Sequence, residues 1–336
     1  LKADVTNVVS IRFLVSRISN QLYCWWSYAL SLFGVVRVRH LPTFVSIEPA
    51  NICQLHCPEC PVGMRQYTPN DTHFLSLELF ESILSEVQTT THTMQFYFQG
   101  EPLLNKHLPE MIARAHQVGI YTIVSTNAQT INKELANALV KRGLSRIIVS
   151  IDGFSEESYA AYRVGGSLQK ALEGLQSLRQ AKDLYQSPIR IELQVLRLRT
   201  NEHEWEWIRR NYKRLGATHL VFKTAQLYDY EHGNPLMPSN ERYSRYKKGA
   251  DGKYFKIQNS KFLINTSPCY RLWSGCVITT TGEVLPCCYD KGHHYSFGNI
   301  LFLSLMDIYH SKKANNFRRH VLLSQKSRPN MCNNCD

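Results

Sequence analysis

The decisive stretch of the chain is Ile52-Cys53-Gln54-Leu55-His56-Cys57-Pro58-Glu59-Cys60-Pro61, which follows the apolar segment Phe44-Val45-Ser46-Ile47. Its three cysteines have the spacing C-x3-C-x2-C. Three thiolates in one loop can ligate a single iron-sulfur cluster and leave one iron without a protein ligand. A zinc site or a buried structural trio is the alternative, but structural zinc takes four protein ligands and this loop supplies three. The loop therefore predicts an iron-sulfur site with one iron open to chemistry.

The length, hydrophobic content and cysteine distribution of the sequence are typical of a globular protein with metal-binding cysteines. At 336 residues and 43% hydrophobic content, the chain is long enough for one large domain and a smaller one. All ten cysteines except Cys24 fall in two groups, separated by a long middle that has none. A disulfide framework is typical of short secreted chains instead. The distribution predicts metal ligation in a reducing cytoplasm.

The chain is basic, with a formal charge of +12 from 39 basic and 27 acidic side chains. This balance favours a phosphate-bearing or acidic substrate, an anionic membrane surface or nucleic acid. An ordinary surface with an excess of lysine and arginine is the alternative. Because no compact run of five or six basic residues occurs, nucleic acid is the least favoured partner.

Residues 1–42 form an extension before the first predicted strand. Residues 18–36 carry no formal charge, but serine, asparagine and glutamine dilute the roughly 20 apolar residues that a spanning helix needs. A signal peptide is disfavoured too, because no small-x-small cleavage site follows. Paired tryptophans with basic flanks suit contact with a membrane surface through residues 8–36. A helix or hairpin packed on the following domain is the alternative.

From residue 43, short apolar runs alternate with amphipathic stretches, the pattern of βα units around a parallel sheet. The predicted strands are Phe44–Ile47, Met94–Phe98, Tyr121–Ser125, Arg146–Ile151, Ile189–Leu196 and His219–Lys223. The predicted helices are Leu77–Val87, Leu108–Val118, Asn132–Arg142, Leu168–Lys182 and Glu202–Leu215. The pattern predicts an α/β fold, a partial (β/α)6 TIM-like barrel over residues 43–224. In such a barrel, the loops after the carboxyl ends of the strands form the active face.

Polar residues follow several of these strand ends. Gln99-Gly100-Glu101-Pro102 follows the second strand, Ser125-Thr126-Asn127 the third, and Ser150-Ile151-Asp152-Gly153 the fourth. Glycine lets the backbone approach a ligand, and the Glu101 carboxylate suits a charge-assisted hydrogen bond from an ammonium. Ser150 and Asp152 point to one side of an extended strand, although Asp152-Gly153 is also typical of a plain turn. No G-x-G-x-x-G follows a strand, so a Rossmann domain is not indicated.

The second cysteine group lies near the end of the sequence, where Cys269, Cys287, Cys332 and Cys335 have the spacing C-x17-C-x44-C-x2-C. Four thiolates can enclose an iron-sulfur cluster completely, and tetrahedral zinc is the alternative. Segments 277–280 and 283–285 flank Thr281-Gly282 as a predicted hairpin, followed by a predicted helix at Leu305–Leu322. Cys276 and Cys288 are left over, as alternative ligands or as inert core residues.

These ordered motifs resemble the radical S-adenosylmethionine (SAM) superfamily from about residue 43 onward. The resemblance implies that Cys53, Cys57 and Cys60 hold a 4Fe-4S cluster whose open iron chelates SAM. One electron then cleaves SAM to methionine and a 5'-deoxyadenosyl radical, which abstracts hydrogen from a carbon. The implied contacts to SAM or the substrate come from Gly100, Glu101, Ser125, Asn127, Ser150, Asp152, Arg163 and Gln194. Glu59 departs from the family, which often carries an aromatic residue before the third cysteine.

The carboxyl-terminal part, residues 269–336 after a linker at 225–268, resembles the small α+β twitch or short SPASM domain of the same superfamily. This resemblance implies one auxiliary 4Fe-4S cluster on Cys269, Cys287, Cys332 and Cys335.

The resemblance implies an oxidoreductase that abstracts hydrogen from a small-molecule, glycan or lipid-linked substrate and oxidises it through the auxiliary cluster. Its electron donor would be of the flavodoxin or ferredoxin type. A peptide or protein maturase is the alternative, and a non-catalytic iron-sulfur or zinc scaffold that binds nucleic acid is an alternative of another class. The expected location is the cytoplasm, with peripheral contact at a membrane.

Overall fold

The computed structural model describes residues 11–66, 73–257, 268–322, 329–332 and 335. Within them, the strands of the main sheet are β1 (Phe44–Ile47), β2 (Thr93–Phe96), β3 (Tyr121–Thr126), β4 (Arg146–Ser150), β5 (Arg190–Arg197), β6 (His219–Thr224), β9 (Gly275–Ile278), β10 (Glu283–Leu285) and β11 (Gly298–Asn299). A separate antiparallel pair is β7 (Tyr246–Lys248) and β8 (Tyr254–Lys256). The main sheet has the order β11-β10-β9-β1-β2-β3-β4-β5-β6. Strands β1 to β6 pair in parallel, which confirms the predicted partial barrel.

The α-helices of the described residues are α1 (Ile11–Ser31), α2 (Leu77–Val87), α3 (Leu108–Gln117), α4 (Lys133–Lys141), α5 (Glu156–Ala160), α6 (Leu168–Leu184), α7 (Trp205–Asn211), α8 (Tyr270–Ser274), α9 (Leu305–His310) and α10 (Lys312–Leu322). Most barrel helices lie where the periodicity predicts them, since one face of each is apolar and packs against the sheet. Phe80 of α2 and Phe96 of β2, for example, are both fully buried, with ring centroids 5.7 Å apart.

Two predicted helices are wrong in their extent. The segment predicted as one helix at Glu202–Leu215 begins as a 3-10 turn at Arg199–Glu204, and α7 is only seven residues long. The Asn201 side chain accepts hydrogen bonds from Leu198 N and Trp205 Nε1, and such local bonds compete with helix geometry. The predicted helix Leu305–Leu322 is divided at Ser311, whose hydroxyl accepts a hydrogen bond from Ala314 N at the start of α10.

Helix α1 lies across the amino ends of the barrel strands. The Arg17 guanidinium donates to the carbonyls of Gln88, Val118 and Gly119, in the connections that precede β2 and β3. Asn20 both donates to Leu41 O and accepts from Leu41 N, just before β1. The described part of the extension therefore contains a helix packed on the barrel, at the end opposite the carboxyl ends of the strands. In the described part of the chain, none of the helices has the length and apolar composition needed to cross a membrane.

The carboxyl-terminal part adds strands to the barrel sheet. Strand β9 pairs in parallel with β1, and β9 and β10 form an antiparallel hairpin around Gly282, which has a φ of +85°. The predicted hairpin is therefore present, but it continues the barrel sheet. The predicted linker at 225–268 contains β7 and β8, and its residues 258–267 lie outside the described part, as do residues 1–10. The division into 1–42, 43–224, 225–268 and 269–336 stays a prediction.

Candidate functional site

The three-cysteine loop follows β1 and folds into a compact apolar setting. Cys57 is buried, and Cys53 and Cys60 pack against the same hydrophobic cluster. Burial raises the pKa of Cys53 to about 12. Gly63 is required here, because a Cβ atom would lie 2.5 Å from the carbonyl oxygen of Cys57. Among the described residues, no three His, Cys, Asp or Glu side chains converge closely enough to hold a single metal ion.

Nitrogen donors point at two of these sulfur atoms. Leu55 N lies 3.4 Å and Asn127 Nδ2 3.5 Å from Cys53 Sγ, and Arg163 Nη1 lies 3.9 Å from Cys57 Sγ. Donors of this kind stabilise thiolates and tune the iron they bind. Soft thiolates with N–H donors around them are a donor set that fits an iron-sulfur cluster. Asn127 and Arg163, both named from the sequence, thus lie beside the cysteines.

Gly100 and Glu101 lie against the backbone that begins the cysteine loop. Gly100 has a φ of +66°, and a Cβ atom there would lie 2.6 Å from the Ile52 carbonyl oxygen. Glu101 N donates to the same oxygen at 2.7 Å. The close approach that this glycine permits is therefore to the protein's own loop.

The Glu101 carboxylate is buried and accepts hydrogen bonds from Thr126 Oγ1 at 2.6 Å and from the backbone nitrogens of Asn127 and Leu103. Burial raises the pKa of Glu101, and these hydrogen bonds oppose that rise. The carboxylate thus ties the loop after β2 to the loop after β3. Its contact with an ammonium of a ligand stays a proposal.

Asp152 and Arg163 form an ion pair beside the cysteine loop. Both Nε and Nη2 of Arg163 bond to Asp152 Oδ2, at 2.7 and 2.6 Å, and Leu196 N donates to Oδ1 at 2.6 Å. Burial lowers the pKa of Arg163, but the charges of Asp152 and Cys57 outweigh burial and raise it overall. Asp152 is thus held by protein groups at the ends of β4 and β5.

Ser125, Ser150 and Gln194 lie on the neighbouring strands β3, β4 and β5. Ser150 and Gln194 are register partners. Their sequence neighbours Val149 and Leu193 join the helix-facing core, and side chains alternate along a strand. These polar residues therefore lie on the opposite, inner face of the barrel sheet.

The second cysteine group comes together around Cys287. Its pKa is raised by burial first and then by the nearby thiols of Cys288, Cys269 and Cys335. Tyr289 N donates to Cys287 Sγ at 3.4 Å, and Cys335 N donates to Cys332 O at 3.2 Å. Cys269 and Cys335 thus lie near Cys287, and Cys332 is connected to Cys335 through a backbone hydrogen bond.

The two spare cysteines have different surroundings. Cys276 is buried in the main core, where burial raises its pKa to about 12. Cys288 packs against Phe98, Val277 and Leu285. The surroundings of Cys276 are those of an inert core residue.

Lys291 is a site residue that the sequence did not reveal. Its Nζ donates to Phe98 O at 3.0 Å and lies 4.2 Å from the centroid of the Phe98 ring. Burial lowers its pKa, opposed by charge interactions with Cys288, Cys60 and Glu48. Lys291 therefore lies between the two cysteine groups. No motif surrounds it, so only the fold could identify it.

Glu48 is a second such residue, at the carboxyl end of β1. It is 2% exposed, its Oε2 accepts from Thr280 N, and its Oε1 has no hydrogen-bond partner among the described residues. Gln99 Oε1 also lacks a partner there, while its Nε2 donates to Lys291 O at 2.9 Å. The rule that strand ends form the active face could have identified Glu48 from the sequence.

Glu59, the departure before the third cysteine, connects the loop to the segment that follows β6. Its two carboxylate oxygens accept hydrogen bonds from Tyr228 N at 2.8 Å and Asn234 Nδ2 at 2.9 Å. Leu227 and Leu236 of that segment join the cluster that contains Leu55 and Cys57. The segment that follows β6 therefore packs against the cysteine loop.

Comparisons with known proteins agree with this geometry. A family model described as the radical SAM superfamily matches residues 47–186, and one described as a SPASM iron-sulfur cluster-binding domain matches residues 269–336. Together the two models match more than half of the chain.

Curated relatives and solved structures are also similar. The chain is 30% identical over 123 residues to an Fe-coproporphyrin III synthase of Methanosarcina barkeri, covering 37% of this chain and 30% of the relative. It is 26% identical over 318 residues to a PqqA peptide cyclase of Rhizobium meliloti, covering 88% and 80%. The first two relatives are matched over only about a third of their length. Streptococcus suis SuiB bound to S-adenosylmethionine has a TM-score of 0.63 at 13% identity, covering 83% and 68%, a likeness of fold.

Proposed function

Because the chain belongs to the radical SAM superfamily and has a C-terminal SPASM domain, we propose that it abstracts hydrogen from a substrate carbon and oxidises that carbon. Its cofactors are a SAM-binding 4Fe-4S cluster, an auxiliary 4Fe-4S cluster and SAM. When bound and reduced, the first cluster supplies the electron that cleaves SAM to methionine and the hydrogen-abstracting 5'-deoxyadenosyl radical.

The observation that supports substrate oxidation is the second cysteine group, which lies in the part of the chain that the SPASM iron-sulfur cluster-binding model matches. The substrate loses one electron with the hydrogen atom, and the auxiliary site is the acceptor that we propose for the second. In this proposal, Cys53, Cys57 and Cys60 hold the first cluster, and Cys269, Cys287, Cys332 and Cys335 hold the second. The SAM contacts come from the residues at the strand ends, Gly100, Glu101, Ser125, Asn127, Ser150, Asp152, Arg163 and Gln194.

We propose a small polar molecule or glycan as the substrate. The segment after β6 packs on the cysteine loop through Leu227, Leu236 and Met237, which covers one side of the barrel mouth. Glu48 Oε1 and Gln99 Oε1 are buried acceptors without a hydrogen-bond partner among the described residues, and such acceptors suit a hydroxyl group of a substrate better than a phosphate. Contact of α1 with a membrane would not bring a lipid-linked substrate to the barrel mouth, because that helix lies at the other end of the barrel.

A peptide or protein substrate is the second candidate. The similarity to a PqqA peptide cyclase over 88% of the chain favours it. The two candidates differ in the fraction of a cell extract that would contain the substrate, since ultrafiltration separates proteins from small molecules.

The test is anaerobic incubation of the cluster-loaded protein with SAM, reductant and size-fractionated extract from cells grown on deuterated medium. We expect deuterium to enter 5'-deoxyadenosine with the small-molecule fraction, whereas transfer from the protein fraction alone would favour the maturase. Zinc in place of iron, with no 5'-deoxyadenosine formed, would contradict the enzyme and support a scaffold.

Cysteine variants separate the two sites. Cys57→Ala should abolish SAM cleavage, because it removes a ligand of the SAM-binding cluster. The Cys332→Ala variant should still cleave SAM but should no longer form the oxidised product. Cys24→Ala is the matched control, since Cys24 is a buried residue of α1 at the other end of the barrel and its Sγ contacts Trp273 O. Loss of SAM cleavage in Cys332→Ala would show that the second site is only structural.

The remaining partners are proposals of the same kind. A flavodoxin- or ferredoxin-type protein is the proposed electron donor, because such proteins are acidic carriers and this chain has a net charge of +12. The proposed location is the cytoplasm, with contact at a membrane surface through the described part of residues 8–36, since α1 exposes apolar side chains there.

A further inference from the structure

Helix α1 packs its polar side against the barrel and exposes its apolar side. The residues that it buries are Arg17, Asn20, Cys24, Ser27 and Ser31. The apolar residues that it exposes include Ile11, Leu14, Val15, Ile18, Leu22 and Trp25, each 53–76% exposed. A helix on the surface of a globular protein has the reverse arrangement, with its apolar side facing the core. The exposed side of α1 is therefore unlike an ordinary solvated surface.

Specific hydrogen bonds hold this orientation. Arg17 donates to three backbone carbonyls, Asn20 pairs with both polar backbone groups of Leu41, and Ser27 Oγ lies 3.2 Å from His40 Nδ1. Rolling the helix to hide its apolar side would break these buried bonds and leave their partners unsatisfied. The apolar side therefore stays outward.

A second apolar patch lies at the same end of the barrel. Leu301, Phe302, Leu303 and Met306 are 59, 82, 53 and 53% exposed. Leu305 N donates to Glu86 Oε2 at 2.6 Å, and Arg17 Nη2 of α1 donates to Gln88 O at 2.6 Å. Residues 86 and 88 are both at the carboxyl end of α2. The two apolar patches therefore both lie next to that end of α2.

The charge around α1 has one sign. Between Asp4 and Glu48 the sequence has no acidic residue. Arg12, Arg37 and Arg39 are exposed, and the guanidinium groups of Arg37 and Arg39 lie 5.6 and 5.8 Å from the centroid of the Trp26 ring. Arginines beside tryptophan, around an apolar helix face, are the composition that binds anionic lipid headgroups and inserts at the interface.

Extending the membrane contact of α1 proposed above, on which this inference rests, we propose that α1 and the 301–306 turn form one docking face for the surface of an anionic lipid bilayer. A second copy of the chain is a poorer occupant, because a symmetric interface would bring the arginines of both copies together. Docking in this way leaves the barrel mouth facing the water, since α1 crosses the amino ends of the strands. The bilayer would hold the enzyme in place while its substrate enters from solution.

The test is sedimentation of the full-length, cluster-loaded protein with vesicles of phosphatidylcholine alone or mixed with phosphatidylglycerol. We expect binding to the mixed vesicles and a blue shift of tryptophan fluorescence. Arg37→Gln with Arg39→Gln should weaken this binding about 30-fold. Arg209→Gln with Arg210→Gln, which removes two exposed arginines from α7, is the matched control and should bind as the parent protein does.

Two further variants test the apolar contacts. Trp25→Ser and Phe302→Ser lie in different patches, and each should reduce binding while leaving the melting curve and SAM cleavage unchanged. Equal binding to neutral and mixed vesicles would overturn the proposal, and so would a stable dimer without vesicle binding that Trp25→Ser dissociates.

Discussion

The guanidinium of Arg163 donates to the sulfur of Cys57, with Nη1 3.9 Å from Sγ. Its other nitrogens, Nε and Nη2, are occupied by Asp152. The arginine thus joins the cysteine loop after β1 to the carboxyl end of β4. A cation and an N–H donor beside a ligand sulfur favour the more negative, reduced state of a cluster.

Arg163→Met should therefore make the reduction potential of the SAM-binding cluster more negative. It should also cost roughly 3–5 kcal/mol of stability, because Asp152 would remain buried without its partner. The measurement is an EPR-monitored redox titration of the reconstituted protein, together with urea unfolding.

Arg179→Met is the control for this prediction, since Arg179 pairs with Asp183 on the exposed surface of α6. It should leave the potential unchanged and alter stability by less than about 1 kcal/mol. Arg163→Lys keeps the charge and loses the planar fork, so its potential should lie between those of the parent and Arg163→Met. An unchanged potential in Arg163→Met would rule out this influence on the cluster.

Glu59→Ala should loosen the segment after β6. The carboxylate accepts hydrogen bonds from Tyr228 N and Asn234 Nδ2, and bonds to a charged group contribute about 1.5–3 kcal/mol. Hydrogen exchange should become faster across residues 227–237. Glu231→Ala removes an exposed carboxylate from the same segment and should leave exchange unchanged. If both variants exchanged at the parent rate, Glu59 would not hold the segment in place.

Gly100→Ala should displace the start of the cysteine loop, because its Cβ atom would lie 2.6 Å from Ile52 O. Gly252→Ala is a close control, since Gly252 also has a positive φ and a Cβ atom there would meet nothing within 4 Å. The control should cost about 1–2 kcal/mol from backbone strain alone. Gly100→Ala should cost more and retain less iron after reconstitution. Equal losses in the two variants would show that the contact with Ile52 is unimportant.

Glu48→Gln should change how stability depends on pH. Burial raises the pKa of Glu48 from 4.5 to about 7, so the folded state binds this proton more tightly than the unfolded state does. The stability of the parent protein should therefore fall as pH rises from about 4.5 to about 7. The variant lacks this loss and should be more stable than the parent at pH 8 by up to roughly 3 kcal/mol.

Urea unfolding at pH 4.5 and pH 8 checks this prediction. The difference between Glu48→Gln and the parent should be small at pH 4.5, where the carboxyl is protonated in the folded state and about half protonated in the unfolded state. Glu241→Gln, which changes an exposed carboxylate, should show no such dependence. A variant that is no more stable than the parent at pH 8 would mean that Lys291 compensates the buried charge fully.

Local patterns in the sequence determined most of the helices and strands and predict the proposed metal donors. The apolar periods at Phe44–Ile47 and Leu77–Val87 predict these elements with the bounds that the structure has. The spacing of Cys53, Cys57 and Cys60 predicts the proposed donor set, because residues within one short loop stay near one another whatever the rest of the chain does. Polar residues at strand ends were predictable for the same reason, since parallel strands bring their carboxyl ends to one edge.

Only the tertiary structure decided which distant residues meet. The approach of Arg163 to Cys57 and the position of Lys291 between the cysteine groups join segments more than 100 residues apart, through strand crossovers that no local pattern encodes. The pairing of β9 with β1 likewise joins the predicted hairpin to the barrel sheet, and no local pattern in the sequence predicts that pairing. For residues 8–36, the sequence left a helix or a hairpin open. Which side of α1 is buried was decided by the backbone carbonyls that accept hydrogen bonds from Arg17 in the connections before β2 and β3.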